Sequence, residues 1–379
     1  MNAAQALVPR EILCAADSEV LVPQFLPGPI HAYIAGGRGQ DLTVAFNRDT
    51  FAIWAIFPRL QCDVTGGTTQ LDLAGVTLPH PVLLAPVAFQ KLADPRGELE
   101  IARAAAATQT CMVASTLSTS TLEEISALCG PQRWFQLYFQ LQGRAATLAL
   151  VRRAQEAGYT AIVVTLDASI QAASLRSLRA GFTMPADCIA ANLQAEAADQ
   201  APPVKDGESR IFQSIMRAAA AWPELEWLLA RTTLPLWVKG VLHPDDAVRL
   251  KRLGVAGLVV SNHGGRSLDG APASLDALPA IRAAVDDGFP LLLDGGIRSG
   301  SDVFKALALG ADAVMVGRLQ MCALAVAGAL GVAHMLKLLR EELEVCMALA
   351  GCARLEDITL QALTPVPAAG RIFVKDKSC

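Results

Sequence analysis

The segment SNHGGRSLDG, residues 261–270, sets an imidazole (His263) and a guanidinium (Arg266) three positions apart, among glycines and directly after the apolar run GLVV. A histidine that titrates near neutrality can take a proton from a substrate, and an arginine fork can grip a carboxylate or phosphate. A lone histidine is more often structural than catalytic, but set beside an arginine at a strand end it favours a site for an anionic ligand.

Other polar residues stand at the ends of other apolar runs: Ser115 and Thr116, Gln136 and Tyr138, Thr165 and Asp167, Lys239, Ser261, Asp294 with Arg298, and Arg318. A single polar group in such a place is ordinarily a helix cap, and Ser115 or Asp302 alone reads that way. A lysine, a histidine, arginines and two aspartates gathered at one end of a set of strands are more than capping requires. LDGGIRSGSDVFKALALG and AVMVGR place glycines ahead of helix starts, with Arg298 and Arg318 beside them. Exposed backbone N–H groups, a helix N-terminus and a guanidinium together suit a phosphate. The chain has no GxxxxGK[ST] loop, and its glycine-rich segments lack the first-strand context of a dinucleotide fold. FMN, with one phosphate and a flat redox ring, fits these residues, and Lys239 is placed to neutralise negative charge on the reduced ring.

The elements that must position these residues repeat. QEAGYTAIVVTLD, KRLGVAGLVVSN and LALGADAVMVGR each join the end of an amphipathic helix, a glycine suited to a left-handed C-cap, and a strand apolar on both faces. Such strands belong to parallel sheets covered by helices. Further runs complete eight, at 81–86, 111–116, 133–138, 161–167, 235–240, 257–262, 290–296 and 313–318. Eight βα units predict an α/β fold, a TIM (β/α)8 barrel over 81–352, whose active site lies at the C-terminal strand ends. A doubly wound open sheet is the alternative. Residues 1–80 form an N-terminal extension with a helix-like start and a hairpin, CDVTGGTTQLDLAGVTL, expected to close the bottom of the barrel; 353–379 form a tail. The polar link at 168–210 reads either as a lid or as an inert loop.

The chain has 379 residues, 53% hydrophobic and 18% charged, which suits one large packed core. Its formal charge of -4 offers no basic face for nucleic acid. Nine cysteines without a CxxC pair read as reduced thiols rather than a disulfide or metal framework, so no metal is expected. Acidic residues interrupt the N-terminus where a signal peptide needs an apolar run, so a cytoplasmic protein is expected. The apolar stretch at 319–339 is interrupted by His334 and Lys337 and reads as a buried barrel helix, not a membrane span.

Together, SNHGGRSLDG, VKG, FQLY, TLD, LLAPVAFQKLADP and LDGGIRSGSDVFKALALGADAVMVGR resemble the FMN-dependent 2-hydroxy acid oxidases and dehydrogenases, from about residue 33 to 352. The resemblance implies that Pro86, Val87 and Ala88 border the flavin ring; that Ser115, Gln136, Thr165 and Ser261 hydrogen-bond it; and that Lys239 lies at its N1 and O2 edge. It implies a phosphate site made of Asp294, Gly295, Gly296, Ile297, Arg298, Gly317 and Arg318. His263 would be the catalytic base, Asp167 its carboxylate partner, Tyr138 a substrate contact, and Arg266 the clamp on the substrate carboxylate. Relatives of this kind are commonly tetramers, so a homotetramer is expected, with oxygen or another carrier as electron acceptor.

The chain departs from the family at three places. An arginine pair about seven residues after the strand-four aspartate is replaced by Ala173 and Ser174. In HAYIAGG, counting puts Ala32 at the substrate-contacting tyrosine and leaves Tyr33. Leu117 stands where several relatives carry an aromatic. Losing a charge-assisted hydrogen bond to a carboxylate costs about 1.5–3 kcal/mol, so a small free acid should bind poorly. The expected reaction is FMN-dependent oxidation of a 2-hydroxy acid, large and hydrophobic, or of a bulky or masked derivative, to the 2-oxo compound. A non-redox, isomerase-like flavin barrel and a degraded flavin-binding scaffold are the alternatives.

Overall fold

The computed structural model describes residues 7–73, 75–193, 204–216, 219 and 221–366. Part of the long link, 194–203, and the tail beyond 366 lie outside the described residues.

Eight parallel strands follow one another around a closed barrel: β1 (Val82–Leu84), β2 (Met112–Ser115), β3 (Arg133–Leu137), β4 (Ala161–Thr165), β5 (Leu236–Val241), β6 (Gly257–Val260), β7 (Leu291–Asp294) and β8 (Ala313–Val316). Val82, Leu83 and Leu84 pair with Val314, Met315 and Val316, which closes the ring and excludes the open-sheet alternative. Most of these strands are buried along their whole length, because helices cover the outer face and side chains fill the inside. The turns into β4, β6 and β8 use Gly158, Gly254 and Gly310 at φ +77, +86 and +111, a region closed to most other residues. Helix Pro244–Leu253 shows the local logic. It has proline in its first turn with Asp245 and Asp246, Lys251 and Arg252 in its last turn, and Gly254 as its left-handed cap, so its charges oppose the helix dipole at both ends.

The N-terminal extension serves both ends of the barrel. In the antiparallel hairpin of Leu71–Leu73 and Val76–Leu78, Leu73 and Leu78 join Trp134, Val163, Trp237 and Leu292 in the barrel's inner cluster, which shields the N-terminal strand ends. Helix Leu42–Ala52 instead sits at the mouth, where Asn47 exchanges 2.8 Å hydrogen bonds with Asn262. Strand Trp54–Ile56 pairs with Leu363–Pro365, tying the extension to the chain's last described segment. Helix Arg318–Ala350 covers the apolar stretch at 319–339 and breaks at Ala327 and Gly328; Leu319, Leu324, Met335, Leu336 and Leu339 are buried on its inner side. It packs on Glu98–Thr108 and Gly300–Ala308, as a barrel helix does.

Candidate active site

A continuous polar chain crosses the barrel mouth. Lys239 Nζ, at the end of β5, lies 2.8 Å from Asp294 Oδ2 at the end of β7 and donates to Ser261 Oγ at 2.7 Å. Ser261 Oγ in turn accepts the backbone N–H of His263, and His263 Nδ1 meets Asp167 Oδ1 at 2.8 Å. Burial disfavours the Lys239 ammonium, but the carboxylates of Asp294 and Asp167 outweigh it and raise its pKa above the ordinary lysine value. Burial likewise pushes the Asp167 carboxyl up, and the facing His263 and Lys239 more than compensate, holding it below the usual carboxylate value. Both groups therefore stay charged at neutral pH.

His263 itself has φ +59, an uncommon conformation for a residue with a side chain. The Ser261 hydroxyl, the Gly265 N–H to Asn262 bond and the Arg266 N–H to His263 bond hold that turn in place. Strain maintained by surrounding hydrogen bonds is typical of functional loops.

The His263 ring lines a cavity of about 240 Å3 shared with Tyr33, Tyr138, Lys239 and Arg266. Pro86, Val87, Ala88, Asp294, Gly295, Gly296, Ile297, Arg298, Gly317 and Arg318 also line it. Thr165 lines an adjoining cavity of about 930 Å3, which shares Arg38, Leu117, Tyr138 and Gln171 with the first. Ser115, Gln136 and Ser261 lie buried just behind the strand ends, where the Ser115 hydroxyl donates to Gln136 Oε1 at 3.2 Å. Burial and the neighbouring Asp167 raise the pKa of Tyr138 well above the ordinary phenol value, so it remains a hydrogen-bond donor.

Among the described residues, no carboxylate lies within ion-pair distance of Arg38, Arg266 or Arg318. Burial, reinforced by Arg266 and Arg298, pulls the Arg318 guanidinium down to about 9. Such a cluster favours anions. Ten buried side-chain N or O atoms among the described residues have no partner, and five of them (Gln136 Nε2, Thr165 Oγ1, Asp167 Oδ2, Asp294 Oδ1 and Arg318 Nε) belong to residues gathered at this mouth. Buried polar atoms ordinarily have partners, so these five mark the wall where a polar group fits. Gly296 brings its backbone against the mouth helix so closely that a Cβ there would lie 1.9 Å from Asn47 O. The turn thus opens onto the N-terminus of helix Gly300–Ala308, with Arg298 alongside. A phosphate at this turn and a flat polar ring against the orphaned amide, hydroxyl and Lys239 match the chemistry of FMN.

Residues 23–365 match the family described as FMN-dependent dehydrogenase. The chain belongs to that family. As a member of the FMN-dependent dehydrogenase family it is a flavin-dependent oxidoreductase acting on the CH–OH group of 2-hydroxy acids, with FMN as cofactor. It is 63% identical to an L-lactate oxidase of Alicycliphilus denitrificans over 358 residues, 94% of this chain and 98% of that protein. It is 45% identical to a 4-hydroxymandelate oxidase of Amycolatopsis orientalis, over 89% of this chain and 94% of the other. The crystal structure of mandelate oxidase with (S)-2-phenylpropionate superposes with a TM-score of 0.83 at 42% identity, covering 93% of this chain and 98% of that one.

One sequence expectation needs correction. Ala32 is buried in helix Gly28–Ala35, whereas Tyr33 faces the cavity, stacked on Phe182 with ring centroids 4.3 Å apart and beneath the Arg266 guanidinium, 5.1 Å from its ring centre. Successive helix positions differ by about 100°, so a one-residue miscount turns a cavity residue into a core residue. The mouth therefore keeps a tyrosine. Ser174 is buried and caps helix Leu175–Arg179, its side chain accepting from Ser177 N–H. Reading the sequence missed Arg38, Asn47, Gln171 and Gly240. Of these, only Arg38 had a local signal, lying just after the aromatic and glycine pattern of HAYIAGG.

Proposed function

We propose that this family member oxidises a 2-hydroxy acid with a free carboxylate to the 2-oxo acid, with His263 as the base. The 2.8 Å contact between His263 Nδ1 and Asp167 Oδ1 carries this reading, since it commits one ring nitrogen to a carboxylate and leaves Nε2 of a cavity-lining ring to receive a proton. The reaction removes two protons and two electrons from the substrate. FMN, when bound, would accept both electrons and one of the protons. His263 takes a proton as the carbonyl forms, and Asp167, kept ionised, stabilises the resulting imidazolium. Arg266, three residues away on the same loop, holds the substrate carboxylate and so fixes C2 relative to the base. Two backbone carbonyls, those of Tyr33 and Ile34, orient its Nη2. Tyr138 donates a hydrogen bond to a substrate oxygen.

This reading replaces the expected masked derivative. Tyr33 remains beside Arg266, and the similar proteins described above are oxidases of lactate and hydroxymandelate. The adjoining cavity of about 930 Å3 gives room for substituents larger than methyl. Molecular oxygen is proposed as final acceptor, supported by the relatives' description as oxidases. A reducing cytoplasm remains part of the proposal, supported by eight described cysteines that are all free. The homotetramer is proposed on the family resemblance alone. The retained His263 and Asp167 pair, with family membership, favours the redox reaction over the isomerase-like and degraded alternatives.

Anaerobic mixing with L-lactate, glycolate and 4-hydroxymandelate, while following flavin absorbance, tests the proposal. Bleaching by at least one acid is expected, with loss of bleaching but not of FMN in His263→Ala. Failure of every 2-hydroxy acid to reduce the flavin would overturn it.

A further inference from the structure

We propose that Arg38 is a second carboxylate clamp, standing in for the arginine absent at Ser174. The proposal rests on the reading above, that the substrate carries a free carboxylate. Residues 38–39 run directly beside 173–174: Gly39 forms a parallel bridge with Ser174, and its N–H donates to Ala173 O at 3.0 Å. The Arg38 side chain thus springs from a backbone paired with the very residues that lost their guanidinium.

Its position is tied to the catalytic loop as well. The Arg38 N–H donates to Gly265 O at 2.8 Å, and Arg38 Nε donates to Arg266 O at 3.2 Å. Gly37 lets these loops touch, since a Cβ there would fall 2.4 Å from Gly265 O. Nη2 is held by Gln171 Oε1, while Nη1 has no protein acceptor among the described residues. Arg38, Arg266, Tyr33, Tyr138 and His263 all line the smaller cavity. The two part-buried guanidiniums repel one another, and burial lowers the pKa of each. A carboxylate between them relieves both costs and receives charge-assisted hydrogen bonds from two sides. Arg38 also borders the larger cavity, so it stands where the carboxylate end and the substituent end of a substrate diverge. It is thereby a specificity-determining residue for acids over neutral analogues.

The test uses holoenzyme and the variants Arg38→Met and Arg38→Lys. Oxalate, an isostere of a deprotonated 2-hydroxy acid, is titrated into oxidised enzyme while the flavin spectrum is followed, and KM and kcat are measured with L-lactate. Arg38→Met is expected to raise the oxalate Kd and the KM by roughly 10- to 100-fold, with kcat and FMN content within about threefold and partial recovery in Arg38→Lys. An oxalate Kd within about threefold of wild type, or a loss confined to kcat, overturns the proposal. The oxalate titration needs no turnover, so its failure is separable from failure of the flavin to be reduced by hydroxy acids.

Discussion

The Asp167 carboxylate fills the space beside Gly240: a Cβ on that glycine would lie 2.5 Å from both Cβ and Cγ of Asp167. Gly240 has φ +104 and sits at the irregularity in β5–β6 pairing that follows Lys239. The missing side chain and the local bulge together let the aspartate of β4 reach the histidine of β6.

Gly240→Ala is therefore expected to displace Asp167 rather than to disturb the cofactor. Turnover should fall on the order of 100-fold, with FMN occupancy retained and stability lowered by about 1–3 kcal/mol. Steady-state kinetics beside the flavin-to-protein absorbance ratio would check this. Loss of FMN in parallel with activity would show that the glycine serves the cofactor site instead.

Asp167→Asn removes the charge that stabilises an imidazolium, and kcat should drop by about 100- to 10,000-fold. Because the folded carboxyl is held below its ordinary value, its ion-pair stabilisation is present above pH about 4 and is lost as pH falls through the lowered value. Denaturant melts at stepped pH should show the wild-type advantage over Asp167→Asn shrinking as pH falls below about 4. A gap constant from neutrality down to pH about 3 would mean that Asp167 contributes packing rather than charge.

His80 predicts a different acid sensitivity, far from the chemistry. Burial, with Arg340 nearby, pulls its imidazole down to about 4, while its Nδ1 accepts from Val82 N–H and its ring Nε2 meets Thr110 Oγ1 at 3.0 Å. The unfolded chain then binds a proton that the folded chain refuses, so stability declines as pH falls from about 6.5 to about 4. The full loss is about 3 kcal/mol at the 1.36 kcal/mol per pH unit that linkage sets. His80→Gln should flatten that part of the pH–stability curve; an unchanged slope would assign it to other groups.

Arg318 is part-buried, has no carboxylate partner among the described residues, and has an unsatisfied Nε. Arg318→Gln should weaken FMN binding roughly 10- to 100-fold, read from the recovery of free-flavin fluorescence on dilution, with the apoprotein's circular dichroism unchanged. An unaltered FMN Kd would move the phosphate away from the β8 loop.

The barrel was legible because each βα unit carries its own local signals. A fully apolar run such as AVMV cannot lie on a solvated surface, and a glycine such as Gly310 can end a helix where most residues cannot. The catalytic loop was legible for the same reason, since His263 and Arg266 lie within one turn of chain. The substrate pocket was not. Tyr33 was misplaced by one helix position, and that position decides between cavity and core.

The sequence by itself determined the eight-strand order and the end of the barrel where polar side chains gather, while the pairing of His263 with Asp167 entered only through the family resemblance. The first two follow from periodicity and from residue types placed within a few positions of a strand end. Only the tertiary structure decided that Arg38 lies beside Ser174, that Gly240 makes room for Asp167, and that one N-terminal extension both shields the barrel floor and lines its mouth. Such contacts join residues far apart in the chain, as with Arg38 and Gln171, 133 positions apart, so closure and packing set them rather than local preference.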